Sequence, residues 1–141
     1  MVLGTLASIV LVLATVMVHF GFLQLAQYLV ARSRLRPRTR IVAVLIGAFA
    51  AHTIEIYIYT IAYMLLAAWL PSARFAGTFD GGVADYLYFS AAPYTSLGYG
   101  DIVPHGPLRL LASTEALNGL VLIAWTASVT YLMMERYWRR E

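Results

Sequence analysis

Tyr94-Thr95-Ser96-Leu97-Gly98-Tyr99-Gly100-Asp101 places two glycines around one tyrosine, between two long apolar segments. A backbone that replaces a cation's hydration shell must turn successive carbonyls inward, whereas the carbonyls of an ordinary extended chain alternate in direction. Turning them one way requires alternate residues to adopt conformations that a Cβ disfavours and that glycine reaches without penalty. Gly98 and Gly100 meet that need, and Ser96 can add a hydroxyl at the inner mouth. The stretch reads as an ion filter; the plainer alternative is a glycine-rich loop between two membrane helices.

The surrounding chain supports the first reading. Of its 141 residues, 61% are hydrophobic and only 12% charged, more apolar surface than a soluble core of this size can hide. Cysteine is absent, which excludes disulfides and thiolate metal sites. The net charge of +3 comes from arginine clusters, and no basic face with interleaved aromatics lies outside the apolar segments, so a nucleic-acid partner is not expected.

Residues 2–31 are an apolar run, longer than the roughly twenty residues that cross a hydrocarbon core. Its positive charges follow the apolar run, unlike those of a signal peptide. Arg32, Arg34, Arg36, Arg38 and Arg40 then crowd a short loop with Pro37. Positive loops stay cytoplasmic, which puts the amino terminus outside. Arginines at every second position between segments suit a loop binding anionic lipid headgroups, rather than a voltage sensor with arginines at helical spacing inside a span. A second apolar segment runs from Ile41 to Leu70 and is stopped by Pro71. Its aromatics Tyr57, Tyr59, Tyr63 and Trp69 gather in the outer half. The loop from Ser72 to Ala84 carries no legible motif. Residues 85–93 are too short to span and too apolar for a solvent loop, which suits a re-entrant half-helix whose start Asp85 complements. After the filter, Val103-Pro104 and Pro107 keep the chain extended until a last helix descends to Arg136, Arg139 and Arg140, on the same side as the first arginine cluster. No segment for a nucleotide- or calcium-binding domain is expected after it.

The octapeptide resembles the potassium-channel signature Thr-Val-Gly-Tyr-Gly-Asp, with Ser96 for its last threonine and Leu97 for its valine. The resemblance extends from about Tyr57 to Arg136 and belongs to the potassium channel pore-domain family, in its bacterial two-pore-domain-like ion channel group. It implies an all-α membrane protein with three transmembrane helices and a re-entrant pore helix and filter loop between the second and third. In that reading 1–31 is an additional N-terminal helix, 32–40 a basic cytoplasmic loop and 41–141 the pore domain, with pore helix 85–93, filter 95–101 and inner helix 108–138. The implied function is passive, potassium-selective conduction with no cofactor and no enzymatic step. The filter is Thr95, Ser96, Leu97, Gly98, Tyr99, Gly100 and Asp101, with K+ held at Ser96, Leu97, Gly98 and Tyr99. One chain supplies one filter strand, and the resemblance implies a homotetramer.

The same resemblance assigns further residues. Tyr88 and Phe89 take the places of two filter-supporting tryptophans; Tyr88 keeps a hydroxyl for Asp101, while Phe89 has nothing polar to offer Tyr99. Gly119 stands near the inner-helix glycine, as a gating hinge or a close packing point. Val121, Ala124, Ser128 and Leu132 are cavity or gate candidates. Two departures matter: Ala92 replaces a glutamate that some members place behind the filter, and Pro93 is expected to end the pore helix one turn early.

Ionisable groups inside spans are functional candidates by default. His52 and Glu55 share a face of the second helix, and His19 lies at comparable depth if the first two helices form a hairpin. A hydrogen-bonded structural cluster is the favoured reading, with a metal site or a proton relay as alternatives; in the cluster, a histidine could still make gating depend on pH. Glu115 and Asn118 are likewise one turn apart. The rivals to a conducting pore are a non-conducting channel-like subunit or scaffold and, further off, a metal-dependent membrane enzyme using His19, His52 and Glu55.

Overall fold

The computed structural model describes residues 2–98 and 100–138. Its elements in chain order are α1 (Val2–Arg32), α2 (Pro37–Trp69), β1 (Arg74–Gly77), α3 (Val83–Tyr94), β2 (Ile102–His105) and α4 (Leu108–Trp138). Three helices, α1, α2 and α4, are long and apolar enough to cross a membrane. α3, with 12 residues, is about 18 Å long and too short to do so. It lies between α2 and α4 and leads into the filter segment, as a re-entrant helix does.

Local chemistry sets the ends. Pro37 begins α2, where a missing N–H costs nothing. Leu70 leaves the helix in an extended conformation (φ −116°, ψ 113°), as the residue before Pro71 is driven to do. Gly82 caps α3, and the Asp85 carboxylate one turn in accepts from the N–H groups of Gly82 (3.2 Å) and Asp80 (3.0 Å).

Each long helix buries one stripe and exposes the rest. On α1 the stripe is Ser8, Thr15, His19, Leu23 and Val30; on α2 it is Val44, Ala48, Ala51, Glu55, Tyr59 and Tyr63; on α4 it is Leu111, Glu115, Asn118, Leu122 and Thr126. The exposed faces carry Leu13, Met17, Phe49, Trp69, Leu117 and Leu132. Polar groups inside and hydrocarbon outside suit a lipid solvent, where unpaired polar groups are costly.

Two expectations change. Besides its helices, the chain forms a two-stranded antiparallel sheet: β1, inside the stretch that offered no motif, pairs across α3 and the filter with β2 in the register Arg74 to His105 and Gly77 to Ile102. The sheet roofs an apolar cluster of Tyr59, Tyr63, Ala73, Phe89, Tyr94, Ile102, Leu108 and Leu111, with Phe75 and Phe79 packed against it. α3 does not end one turn early but continues through Pro93 to Tyr94. Proline forfeits only its own N–H, and the turn is closed by Thr95 N–H to Ala91 O (3.1 Å) and Ser96 N–H to Pro93 O (2.8 Å).

Candidate functional site: the filter strand and the polar seam behind it

The filter segment leaves α3 at Thr95 and is tied at both ends. At the inner end the N–H groups of Leu97 (2.9 Å) and Gly98 (3.3 Å) both donate to the Ala92 carbonyl, and the Thr95 hydroxyl donates to Ala91 O (2.7 Å). At the outer end Tyr88 donates to Asp101 Oδ2 (3.0 Å), and the Thr78 N–H donates to the Asp101 carbonyl (2.9 Å). Between these ties the backbone is left-handed at every second residue: φ is 59° at Ser96, 56° at Gly98 and 80° at Gly100. A serine in that region costs energy that the neighbouring structure must offset. A Cβ added at Gly98 or Gly100 would meet nothing within 4 Å, so there φ alone demands glycine. Tyr99, assigned to the filter on sequence grounds, lies outside the described residues.

Phe89 is buried and packs edge-on against Tyr63 (5.0 Å between centroids) and Phe75 (4.8 Å). With Ala92, Gly98, Gly100 and Asp101 it borders a space of about 210 Å³ between α3 and the filter. Gly119 is buried in an unbroken stretch of α4; a Cβ there would stand 2.1 Å from the Tyr94 carbonyl oxygen, so the inner helix touches the end of α3 at this point. Val121, Ala124, Ser128 and Leu132 share one exposed face of α4, and the Ser128 hydroxyl is turned back onto Ala124 O (2.9 Å).

Behind α3 runs a seam of buried polar groups in three clusters. Glu115 accepts from the hydroxyls of Tyr63 (2.5 Å) and Ser90 (2.6 Å), joining α4, α2 and α3. Asn118 donates to the hydroxyls of Thr15 (2.8 Å) and Tyr59 (3.1 Å), joining α4, α1 and α2. The third cluster unites His19, His52 and Glu55, with His19 Nδ1 2.9 Å and His52 Nδ1 3.2 Å from the two carboxylate oxygens. The hydrogen-bonded cluster expected of these three forms, and it recruits two residues that sequence reasoning missed. Tyr94, at the end of α3, donates to Glu55 Oε2, and Thr126 of α4 lies 3.1 Å from Nε2 of both histidines. On α4 Thr126 falls on one stripe with Glu115, Asn118 and Leu122, every third or fourth residue, which marks its face but not the two histidines it meets; Tyr94 carries no such spacing signal.

At the other end Arg40 donates to the carbonyls of Leu35 (3.0 Å) and Ser33 (2.8 Å), fixing the loop between α1 and α2. Arg32 stacks over the Tyr28 ring at 4.3 Å, while Arg34, Arg36 and Arg38 are exposed. Arg139 and Arg140 lie outside the described residues.

A family model described as "Ion channel" matches residues 41–136. Among curated proteins, the inward rectifier potassium channel Kirbac3.1 of Paramagnetospirillum magnetotacticum is 31% identical over 80 residues, 56% of this chain and 25% of the relative. The two-pore potassium channel 1 of Arabidopsis thaliana is 39% identical over 59 residues, 41% of this chain and 16% of the relative. The chain thus spans a quarter or less of the length of these relatives. No solved structure gives a significant match. The matched region runs from the start of α2 almost to the end of α4 and takes in the whole filter: the chain belongs to the ion-channel family.

Proposed function

We propose that the chain is the pore-forming subunit of a potassium-selective channel, in which four copies bring residues 95–101 around one axis and conduct K+ passively. The observation that carries this reading is the left-handed backbone at Ser96, Gly98 and Gly100, the alternation that lets neighbouring carbonyls share a direction. The ions are held by the backbone oxygens of Ser96, Leu97, Gly98 and Tyr99. That both relatives carry potassium in their names supports K+ as the permeant ion. The exposed face of Val121, Ala124, Ser128 and Leu132 lines the cavity below the filter in the assembly. One filter strand per chain, exposed at Thr95, Ser96, Leu97, Gly98, Gly100 and Asp101, supports a ring of copies rather than a single-chain pore.

In the same reading residues 1–31 are a segment added in front of the pore domain 41–141, and 32–40, which the structure divides between the end of α1, a short loop and the first turn of α2, face the cytoplasm. Leu45 and Met134 line one cavity, so the start of α2 and the end of α4 lie on the same side, with the exposed arginines placed to meet anionic headgroups. A cysteine introduced at Ser72 is then labelled by an impermeant reagent in intact cells, and one at Ser33 is not; the opposite pattern inverts the topology.

The function is tested with purified protein in liposomes, measuring K+ and Na+ flux alongside mass in a native membrane mimic. Selective K+ flux from a four-copy assembly is the expected result. A stable monomer, or no flux at all, favours the non-conducting scaffold instead.

A further inference from the structure

The His19, His52 and Glu55 cluster is a closed ring. Glu55 bridges the two Nδ1 atoms, at 2.9 Å from His19 and 3.2 Å from His52, and the Thr126 hydroxyl bridges the two Nε2 atoms at 3.1 Å each. Tyr94 leans on one side, its oxygen 2.7 Å from His52 Nδ1 and its proton donated to Glu55 Oε2. α1, α2, α3 and α4 each contribute. His19 and Glu55 are completely buried and the His52 side chain is 17% exposed.

Counting protons around the ring gives an unequal result. With Glu55 ionised and both imidazoles neutral, each Nδ1–H points at the carboxylate and each Nε2 offers a lone pair to Thr126. A hydroxyl has one proton to give, so one of the two Nε2 atoms faces an oxygen lone pair. One additional proton closes the ring: one histidine donates Nε2–H to Thr126, and Thr126 donates to the other. The same proton brings the net charge of the buried ring from minus one to zero, the state a low-dielectric interior favours. The carboxylate oxygens already accept from the two Nδ1–H groups and from Tyr94, whereas the unequal Nε2 side has the vacancy, so the geometry puts the added proton on a histidine. Reversal of the Thr126 hydroxyl hands it from His19 to His52.

We propose that this ring is a binding site for one exchangeable proton per subunit, shared by His19 and His52 through Thr126, and that its occupancy governs the filter through Tyr94. The second half rests on the channel reading of residues 95–101. Tyr94 is the residue before Thr95, so whatever fixes its hydroxyl fixes the root of the filter. With the proton bound, His52 is held at both nitrogens and braces Tyr94. Once the proton is lost, Thr126 can hold only one imidazole, and the brace loosens. The nearest other ionisable groups facing this region belong to separate clusters: Tyr59 of α2 is bonded by Asn118, and Glu115 of α4 is occupied by Tyr63 and Ser90.

The same three side chains offer ligand atoms within 4.8 Å of one another, a spacing a metal ion could use. A divalent ion held by both Nδ1 atoms and Glu55 would leave a net positive charge buried, whereas a proton leaves none. The ring is reached from one side. His52, Tyr94 and Thr126 line a cavity of about 760 Å³ that extends to Leu45 and Met134 at the arginine-bearing end. Its wall is mostly apolar, with the buried Thr130 hydroxyl, which has no partner among the described residues, as a further polar point between the ring and that end.

The test uses the full chain with 15N-labelled histidine in lipid bilayers. There are three histidines, and the exposed His105 at the end of β2 is removed by His105→Gln to leave the two of the ring. Nitrogen NMR is expected to count three N–H groups over four ring nitrogens in the loaded state, falling to two in a one-proton step as pH rises. K+ flux falls severalfold over the same interval when pH is varied on the arginine side, and not when it is varied on the side of the two-stranded sheet. Thr126→Val keeps the shape, removes the bridge, and flattens both the NMR step and the flux response; Thr126→Ser restores both. A count fixed at two N–H groups between about pH 5 and 8 overturns the proton site. So does a stoichiometric bound metal whose removal shifts the histidine signals. An intact NMR step with flux that ignores pH overturns control of the filter, and an intact step with no flux at any pH overturns the channel reading on which that control rests.

Discussion

The filter strand is tied to the end of α3 through Gly98 and to its surroundings again at Asp101, its described residues are exposed and it is open around Gly98 and Gly100, while the seam behind α3 is packed with partnered polar atoms. The first region is conformationally specific and has few partners within one chain. The second finds its hydrogen-bond partners within one chain. In the channel proposed above, the seam therefore forms when one subunit folds and the filter is completed only when copies meet. It also explains how a strained serine at φ 59° is tolerated, since the strand hangs from a helix end that the seam and Gly119 hold in place.

The largest effect is expected where the comparison is sharpest. Gly98→Ala has room for its methyl group yet must keep a left-handed φ, at roughly 1–2 kcal/mol in each copy. Insertion and thermal stability stay close to wild type while the preference for K+ over Na+ disappears. An alanine variant with unchanged selectivity would remove the backbone argument.

Gly119→Ala breaks the other side. Its methyl group would stand 2.1 Å from the Tyr94 carbonyl oxygen, and backbone cannot swing aside, so overpacking of about 1–3 kcal/mol is expected. The signature is a lower melting temperature in detergent. A variant that melts like wild type but gates differently would instead favour a hinge at this glycine.

Tyr88→Phe gives the smallest effect. It removes one exposed hydrogen bond of 3.0 Å to Asp101, a contribution of about 0.5–1.5 kcal/mol. Stability should hardly change, and single-channel openings should shorten when external potassium is low. Equal open times at low potassium in the two proteins would show that this tie does not support the filter.

How much of this could be read in the sequence follows the same division. The left-handed positions were legible because Gly98 and Gly100 announce a backbone requirement that needs no tertiary contact; Ser96 was not, since a serine carries no such signal. The end of the second helix was legible at Pro71, which constrains the residue before it, whereas Pro37, read as part of the loop 32–40, opens α2 four residues ahead of Ile41. The continuation of α3 through Pro93 was misjudged because one lost N–H does not end a helix whose next turn is closed by Thr95 and Ser96. The two-stranded sheet escaped because Arg74-Phe75-Ala76-Gly77 has neither alternation nor β-branched residues, and its strand exists only through pairing with the distant Ile102–His105. His19, His52 and Glu55 could be placed together from depth and helical spacing. Tyr94 and Thr126 could not, because their part depends on how α3 and α4 are set against the other two helices.

In the proposed channel, alternate left-handed residues in four copies build a cage of backbone oxygens for K+. The most direct measurement is anomalous scattering from crystals of the assembled protein grown with rubidium or thallium in place of potassium. The account predicts a file of ion peaks on a four-fold axis, between the levels of Ser96 and Tyr99 and surrounded by main-chain oxygens. An assembled protein without peaks on that axis, or with ions held only by side chains, would contradict it.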